Sequence, residues 1–260
     1  MAAAFEPTAR RTVGVRDIPV VLVAPRRLFR RVEDVGAYGW PLTILLTAVT
    51  LIGFATVETG LIGLEVDRRV AERIAAIESE QRDVIERSAL RELYAQAAKV
   101  GEFEKLLLRI GVVAAEPLRA LGAVLLIAAV LYGAVALTGR KVEWHTLLTI
   151  CVYASFIDVL RLLMKLTLML RHGSLDVHTS LSPLVRMVTD TESARGIEAA
   201  VWSGLLSAVD PFVIWFWLVV IVGLATTAQL RGWRAWGTCA LCWLAGAGLR
   251  CGLTVATAHA

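Results

Sequence analysis

The sequence predicts an all-α polytopic membrane protein: a bundle of five transmembrane helices with one long amphipathic helix outside the bilayer. Three observations carry this. First, 57% of the 260 residues are apolar, against ~45–50% in an ordinary globular chain, and the mean hydropathy is +0.65. Second, the charged residues, 19% of the chain, are confined: 19 lie between Glu65 and Arg109 and 11 in residues 1–39. Third, the apolar residues gather in runs near the ~20 residues a helix needs to cross a ~30 Å hydrocarbon core. Such a distribution excludes a disordered chain, a nucleic-acid-binding domain and a soluble enzyme as leading readings.

The expected spans are Pro41–Leu64, Leu118–Thr138, Thr146–Leu170, Asp210–Leu230 and Ala235–Ala258, so that residues 41–258 form the membrane domain. The tail, residues 1–39, holds only one short apolar stretch, Ile18–Ala24. It is too short to span and has no cleavage site behind it, so the tail is expected to remain. Seven arginines lie in the tail, and the short connections Gly139-Arg-Lys and Arg231-Gly-Trp-Arg234 fall on the same side. The basic residues of the other side are diluted over two long segments and balanced by acids. The positive-inside rule then places the N-terminus in the cytoplasm and the C-terminus outside.

Within the tail, Pro25–Asp34 puts Leu28, Phe29 and Val32 on one helix face and Arg26, Arg27, Arg30 and Arg31 on the other. This is the pattern of a helix lying in the headgroup layer, where each basic residue near an anionic surface contributes ~1 kcal/mol; the plainer reading is that it caps the first span.

Residues 65–110 form the extracytoplasmic insertion. From Glu65 to Val100 there is no Gly or Pro, and apolar residues recur at Val66, Val70, Ile74, Ile77 and Val84, then at Ile85, Ala89, Leu93, Ala97 and Val100. Spacings of three and four predict an amphipathic helix, about 54 Å long if straight. Gln81 and Ser88 interrupt the stripe, so the seam drifts or the helix bends, and Gly101 is expected to break it. The helix either packs on its own return segment or docks a partner helix. In the second outer segment, Leu184, Val188, Ile197, Val201, Leu205 and Leu206 predict an interfacial helix.

Charges inside spans are costly and face the bundle interior, which makes each a functional candidate. Asp158, Arg161 and Lys165 fall within about 60° of one another on the third span. Glu58 and Arg250 are expected in the same outer half of the membrane, so that Glu58 reaches Lys165 or Arg161, and Asp158 reaches Arg161 or Arg250. Three readings stay open for this cluster: a structural set of ion pairs, a site for an anionic group such as a lipid phosphate, and a transport path. Gly53, Gly60 and Gly63, with Gly246, Gly248 and Gly252, permit close helix approach, and Gly248-Leu-Arg-Cys-Gly252 matches a small-xxx-small pattern compatible with a homo-oligomer.

No catalytic or cofactor signature is present: no metalloprotease helix, no nucleophile elbow, no phosphate loop. Cys151, Cys239, Cys242 and Cys251 make no disulfide framework, and neither the Cys239–Cys242 spacing nor His172 with His178 brings the three or four ligands that a metal needs. His145, beside Trp144, reads as an interfacial anchor. No cofactor, metal or nucleic-acid partner is expected.

The run Pro25-Arg-Arg-Leu-Phe-Arg-Arg-Val-Glu, the Leu137-Thr-Gly-Arg-Lys turn leading to Tyr153-Ala-Ser, and above all Leu206–Ala225 around Asp210-Pro-Phe resemble the bacterial branch of the Yip family. The resemblance carries Asp210, Phe212, Trp215 and Gly223 as family-like residues and implies five membrane helices with a cytoplasmic N-terminus. Eukaryotic members interact with Rab-type GTPases, but their Asp-Leu-Tyr-Gly-Pro stretch is absent here, so GTPase binding does not carry over. Where bacterial members tend to have a proline after Tyr153-Ala-Ser, this chain has Phe156-Ile-Asp158. Bacterial relatives are often encoded beside export ATPases and their periplasmic adaptors, which implies a non-enzymatic accessory or scaffold role; the amphipathic pattern of the 65–110 helix makes it the expected contact for a protein partner. A transporter using the charged face of the third span and a lipid-handling protein are the alternatives.

Overall fold

A computed structural model describes residues 15–32, 38–81, 87–140, 142–173, 210–227, 230 and 232–258. Every regular element among them is helical. We label the α-helices α1 (Ile18–Val23), α2 (Pro25–Phe29), α3 (Gly39–Glu58), α4 (Leu61–Gln81), α5 (Arg87–Ile110), α6 (Glu116–Leu137), α7 (Trp144–Ala154), α8 (Phe156–His172), α9 (Pro211–Thr227) and α10 (Trp233–Ala258). Three stretches are long and apolar enough to cross a membrane: Gly39–Glu58, Leu90–Leu137 and Trp144–His172; Pro211–Thr227 is a shorter apolar helix. The chain is thus an all-helical membrane protein. Its contacts divide it into one unit of Met1–Leu45, Leu121–Arg161 and His178–Ala260, and another of Leu46–Ala120 and Leu162–Val177.

The first unit is built around α7, in which every residue from Leu147 to Ala154 is buried. Helix α9 packs against α7, α2 and α10. The apolar face expected to lie on lipid is turned to protein instead, because Leu28, Phe29 and Val32 are fully buried in this core. A protein surface already assembled by α9 gives those side chains closer packing than the fluid headgroup layer. Arg26, Arg27, Arg30 and Arg31 stay exposed, and Arg31 is held by Asp17 at 3.1 Å.

Short connections end these helices where the sequence has turn residues. After α6, the amides of Thr138 and Gly139 donate to the carbonyls of Val135 and Ala136, and Gly139 has φ +74°, the left-handed helix stop that glycine makes without strain. An aromatic group gathers at this end: Tyr38 stacks on His145 with centroids 5.7 Å apart, and Tyr132 meets Trp144 edge-on at 5.9 Å. Trp40 and Trp233 are exposed. This composition suits a membrane–water boundary.

The third span is interrupted at Ser155, although no proline is there. The Ser155 amide and hydroxyl both donate to the Cys151 carbonyl, each at 2.9 Å, and the Asp158 amide closes a tighter turn onto the Ser155 carbonyl at 3.0 Å. Back-bonding of this kind bends a helix, so the serine produces locally what a proline would.

In the second unit the first span ends earlier than expected, at Glu58. Thr59 Oγ1 donates to the Thr56 carbonyl at 2.7 Å and accepts from the Leu61 amide at 3.3 Å, while Gly60 turns the chain with φ +70°. Gly60 is therefore a turn residue rather than a packing one. Of the glycines expected to allow close approach, Gly53 does so, since a Cβ there would lie 2.5 Å from the Val112 carbonyl oxygen. Gly63, Gly246 and Gly248 face open space among the described residues.

The continuous helix expected for 65–100, drifting or bending near Gln81 and Ser88, is instead two helices, Leu61–Gln81 and Arg87–Ile110, which pack on each other as an antiparallel hairpin. Lys105 Nζ lies 2.8 Å from Asp67, Arg69 lies 3.3 Å from Glu104, and the Tyr94 hydroxyl donates to Glu78 at 2.9 Å. Exposed pairs such as these set register more than stability. The seam is the apolar stripe of Ile62, Val66, Val70, Ile74 and Ile77 against Leu90, Leu93, Ala97 and Gly101. Gly101 does not break the helix; it is buried against the side chains of α4, and a Cβ there would sit 2.5 Å from Val70 Cγ2. Val100, expected in the seam, is exposed instead. Helix α5 then continues through a π-helical turn, Gly111–Ala115, into α6.

The expected interfacial helix around 184–206, and His178, lie outside the described residues, as do the side chain of Arg250 and the packing of Gly252. Val70 is β-branched and cannot swing aside cheaply, so Gly101→Val should overpack the seam by ~1–3 kcal/mol. Hydrogen exchange on the full-length protein should show faster exchange in both α4 and α5. Unchanged protection would mean that the hairpin does not depend on this contact.

Candidate functional site

The charged face of the third span meets an acid that sequence spacing does not pair with it. Arg161 Nε lies 3.0 Å from Asp210 Oδ2, and the Asp210 side chain is completely buried. The other carboxylate oxygen accepts the Phe212 amide at 2.9 Å, and the Asp210 carbonyl accepts the Ile214 amide at 3.0 Å. Asp210 therefore caps α9 and holds Arg161 of α8 with the same carboxylate. Pro211 suits the first helical position because its missing N–H would have no intrahelical partner. Burying a carboxylate costs several kcal/mol unless it is paired and hydrogen-bonded; both conditions are met.

Asp158 is in the first turn of α8, where the helix dipole favours a negative charge. Glu58 is the exposed last residue of α3 rather than a group well inside a span. Lys165 lies on α8 and lines a cavity of about 240 Å³ in the second unit, together with Glu116 of α6 and ten further residues that are mostly apolar. Neither Glu58 nor Lys165 takes part in an ion pair among the described residues, whereas Glu116 is bound by Arg119 at 2.6 Å. Sequence reasoning missed Glu116 and the cavity. The available signal was an acid two residues before an apolar run, but nothing in the pattern says that the helices around it, chiefly α3 and α8, enclose space there.

The family-like residues all belong to the fixing of α9. Asp210 caps it, the Phe212 amide receives the cap, Phe212 and Trp215 pack on the buried core, and Gly223 leaves room for Ile150 of α7. A Cβ on Gly223 would lie 2.6 Å from Ile150 Cγ2 and 3.1 Å from its Cγ1. Among the described residues no group of three or more His, Cys, Asp or Glu is placed to hold a metal. Cys151, Cys239 and Cys242 are buried free thiols. What the arrangement offers is a pinned helix junction and a separate apolar cavity with one cation.

Gly223→Ala should destabilise the detergent-solubilised protein by ~1–3 kcal/mol through overpacking, despite alanine's higher helix propensity. Gly133→Ala, where the added carbon meets nothing within 4 Å, should be neutral or stabilising by up to ~1 kcal/mol. Thermal unfolding of both variants tests this, and equal behaviour would contradict the assigned contact.

Comparison with curated proteins and with solved structures finds no match. The family model of the Yip1 domain matches residues 20–249, a range that takes in the buried tail helix, the hairpin, the Asp210 cap and the Gly223 contact. The chain belongs to the Yip1 domain family.

Proposed function

We propose that this chain is a non-catalytic accessory protein of the bacterial inner membrane that crosses the bilayer five times and scaffolds an export complex through the α4–α5 hairpin. Support for five spans comes from the three long apolar helices and α9, together with α10, which is 26 residues long. Leu125, Leu126, Ile214, Leu218, Leu241 and Leu244 are exposed along α6, α9 and α10, as lipid-facing side chains would be. The arginine-rich tail and short loops put the N-terminus in the cytoplasm and the hairpin outside.

One observation carries the docking role. Val100, Phe103, Leu107 and Ile110 are 48%, 61%, 52% and 53% exposed, and at 100° per residue they fall within about 80° of one another. The hairpin seam is centred about 100° round α5 from this stripe, and the exposure of these four side chains leaves them outside it. At 1.5 Å per residue, Phe103 stands roughly 22 Å from Leu118, where the apolar run of α6 begins. A headgroup layer is only about 5–8 Å thick. For a helix along the membrane normal, the stripe therefore rises past the lipid to a height where a protein would cover it.

Phe103→Ser with Leu107→Ser should leave the fold intact and reduce recovery of the export ATPase or its adaptor at least tenfold in a crosslinking pull-down. Deletion of residues 70–100 should abolish it. Equal recovery of the export components by the wild type and both variants would overturn the docking role, and retained substrate flux by the deletion variant would favour a transporter.

A further inference from the structure

The cavity of the second unit is placed and charged to hold a lipid. Its walls come from α3, the π-helical turn and α8, with Val49, Ile52, Val112 and Leu166 among its apolar lining. Protein interiors pack with few voids larger than a water molecule, and water entering this one would find few polar partners. A volume of about 240 Å³ is smaller than the ~300–1,000 Å³ of pockets that enclose a whole drug-sized ligand. It suits part of a flexible chain.

Charge decides which kind of chain. Glu116 is neutralised by Arg119 at 2.6 Å, while Lys165 has no ion-pair partner among the described residues. Its ammonium, on a helix apolar enough to cross the membrane, is costly to hold away from water without a counter-charge. An anion supplied from outside the protein offsets that cost. Depth agrees: Glu116 opens α6 two residues before Leu118, and Thr56, also on the cavity wall, lies two residues before the end of α3. These positions mark the boundary between acyl chains and headgroups, where a lipid's phosphate or carboxylate sits.

We infer that the cavity binds part of one acyl chain of an anionic membrane lipid, with Lys165 holding the phosphate or carboxylate headgroup. The site is separate from the docking stripe of α5, and its failure would leave that reading untouched.

Native mass spectrometry of the delipidated full-length protein tests the inference, with phosphatidylglycerol, phosphatidylcholine, oleate and inorganic phosphate as probes. Phosphatidylglycerol should bind at least tenfold more tightly than phosphatidylcholine. Lys165→Gln should remove most of that preference, whereas Arg140→Gln, in the short loop after α6, should keep it. Val49→Phe, which fills the cavity and leaves Lys165 in place, should weaken phosphatidylglycerol binding by a similar factor; it keeps the inference falsifiable if Lys165→Gln does not fold. Competition by oleate would extend the site to carboxylate lipids, and its absence would restrict the site to phosphodiesters. Equal binding of the two phospholipids, no effect of either cavity variant, or equal affinity for inorganic phosphate would overturn the inference.

Discussion

Asp210 holds this structure together at the point where it is most exposed to failure. A carboxylate with no solvent exposure is tolerable only if its charge and its lone pairs are met, and here Arg161 meets the charge while the Phe212 amide meets the opposite oxygen. The pairing ties the start of α9 to α8, and the rest of the first unit follows from it. Once α9 is capped and placed, Gly223 can bring it against Ile150 of α7, and its remaining surface receives the tail helix α2 and α10. The tail's apolar face is buried for the same reason: a preformed protein surface is available to it.

This bears on what the intramembrane charges do. Arg161 is committed to an acid that is also a helix cap, which supports a structural role for that part of the charged face. A moving ion or substrate would have to break the cap and the pair together. Lys165, one turn further along α8, is a different case, because it faces an apolar cavity with no acid bound to it among the described residues. A single helix face thus carries one charge that orders protein and one that is free to order a ligand.

Much of the fold was legible in the sequence, and the failures share a cause. The apolar runs mark the three helices long enough to cross a membrane, and the three-and-four spacing from Val66 to Ile77 marks the seam of α4, because burial against one neighbour leaves a periodic record. The interruption at Gln81 and Ser88 was visible, yet periodicity alone cannot distinguish a bend from a reversal; cross-hairpin partners such as Lys105 and Asp67 do that. Gly101 was misjudged because glycine serves equally as a helix stop and as a point of close contact, and only the facing Val70 decides. Likewise Asp210 and Arg161 were each singled out, one for its resemblance to a family and one for its charge. Their pairing depends on how α8 meets α9, which leaves no mark in either segment. The cavity is the extreme case, since it is defined by what the helices of the second unit fail to fill.

The dependence of the first unit on the Asp210 carboxylate is measured most directly by a double-mutant cycle. Asp210→Asn keeps an oxygen for the Phe212 amide and removes the charge; Arg161→Gln removes its partner. Each single variant and the pair would be unfolded reversibly in a defined detergent. Breaking a buried pair costs ~3–5 kcal/mol, and the one-third exposure of Arg161 places Arg161→Gln near the low end of that range. The two substitutions should be coupled by at least about 1.5 kcal/mol, within the ~0.5–3 kcal/mol of residues in contact. Additivity within ~0.3–0.5 kcal/mol, the behaviour of independent sites, would contradict the role given to this pair.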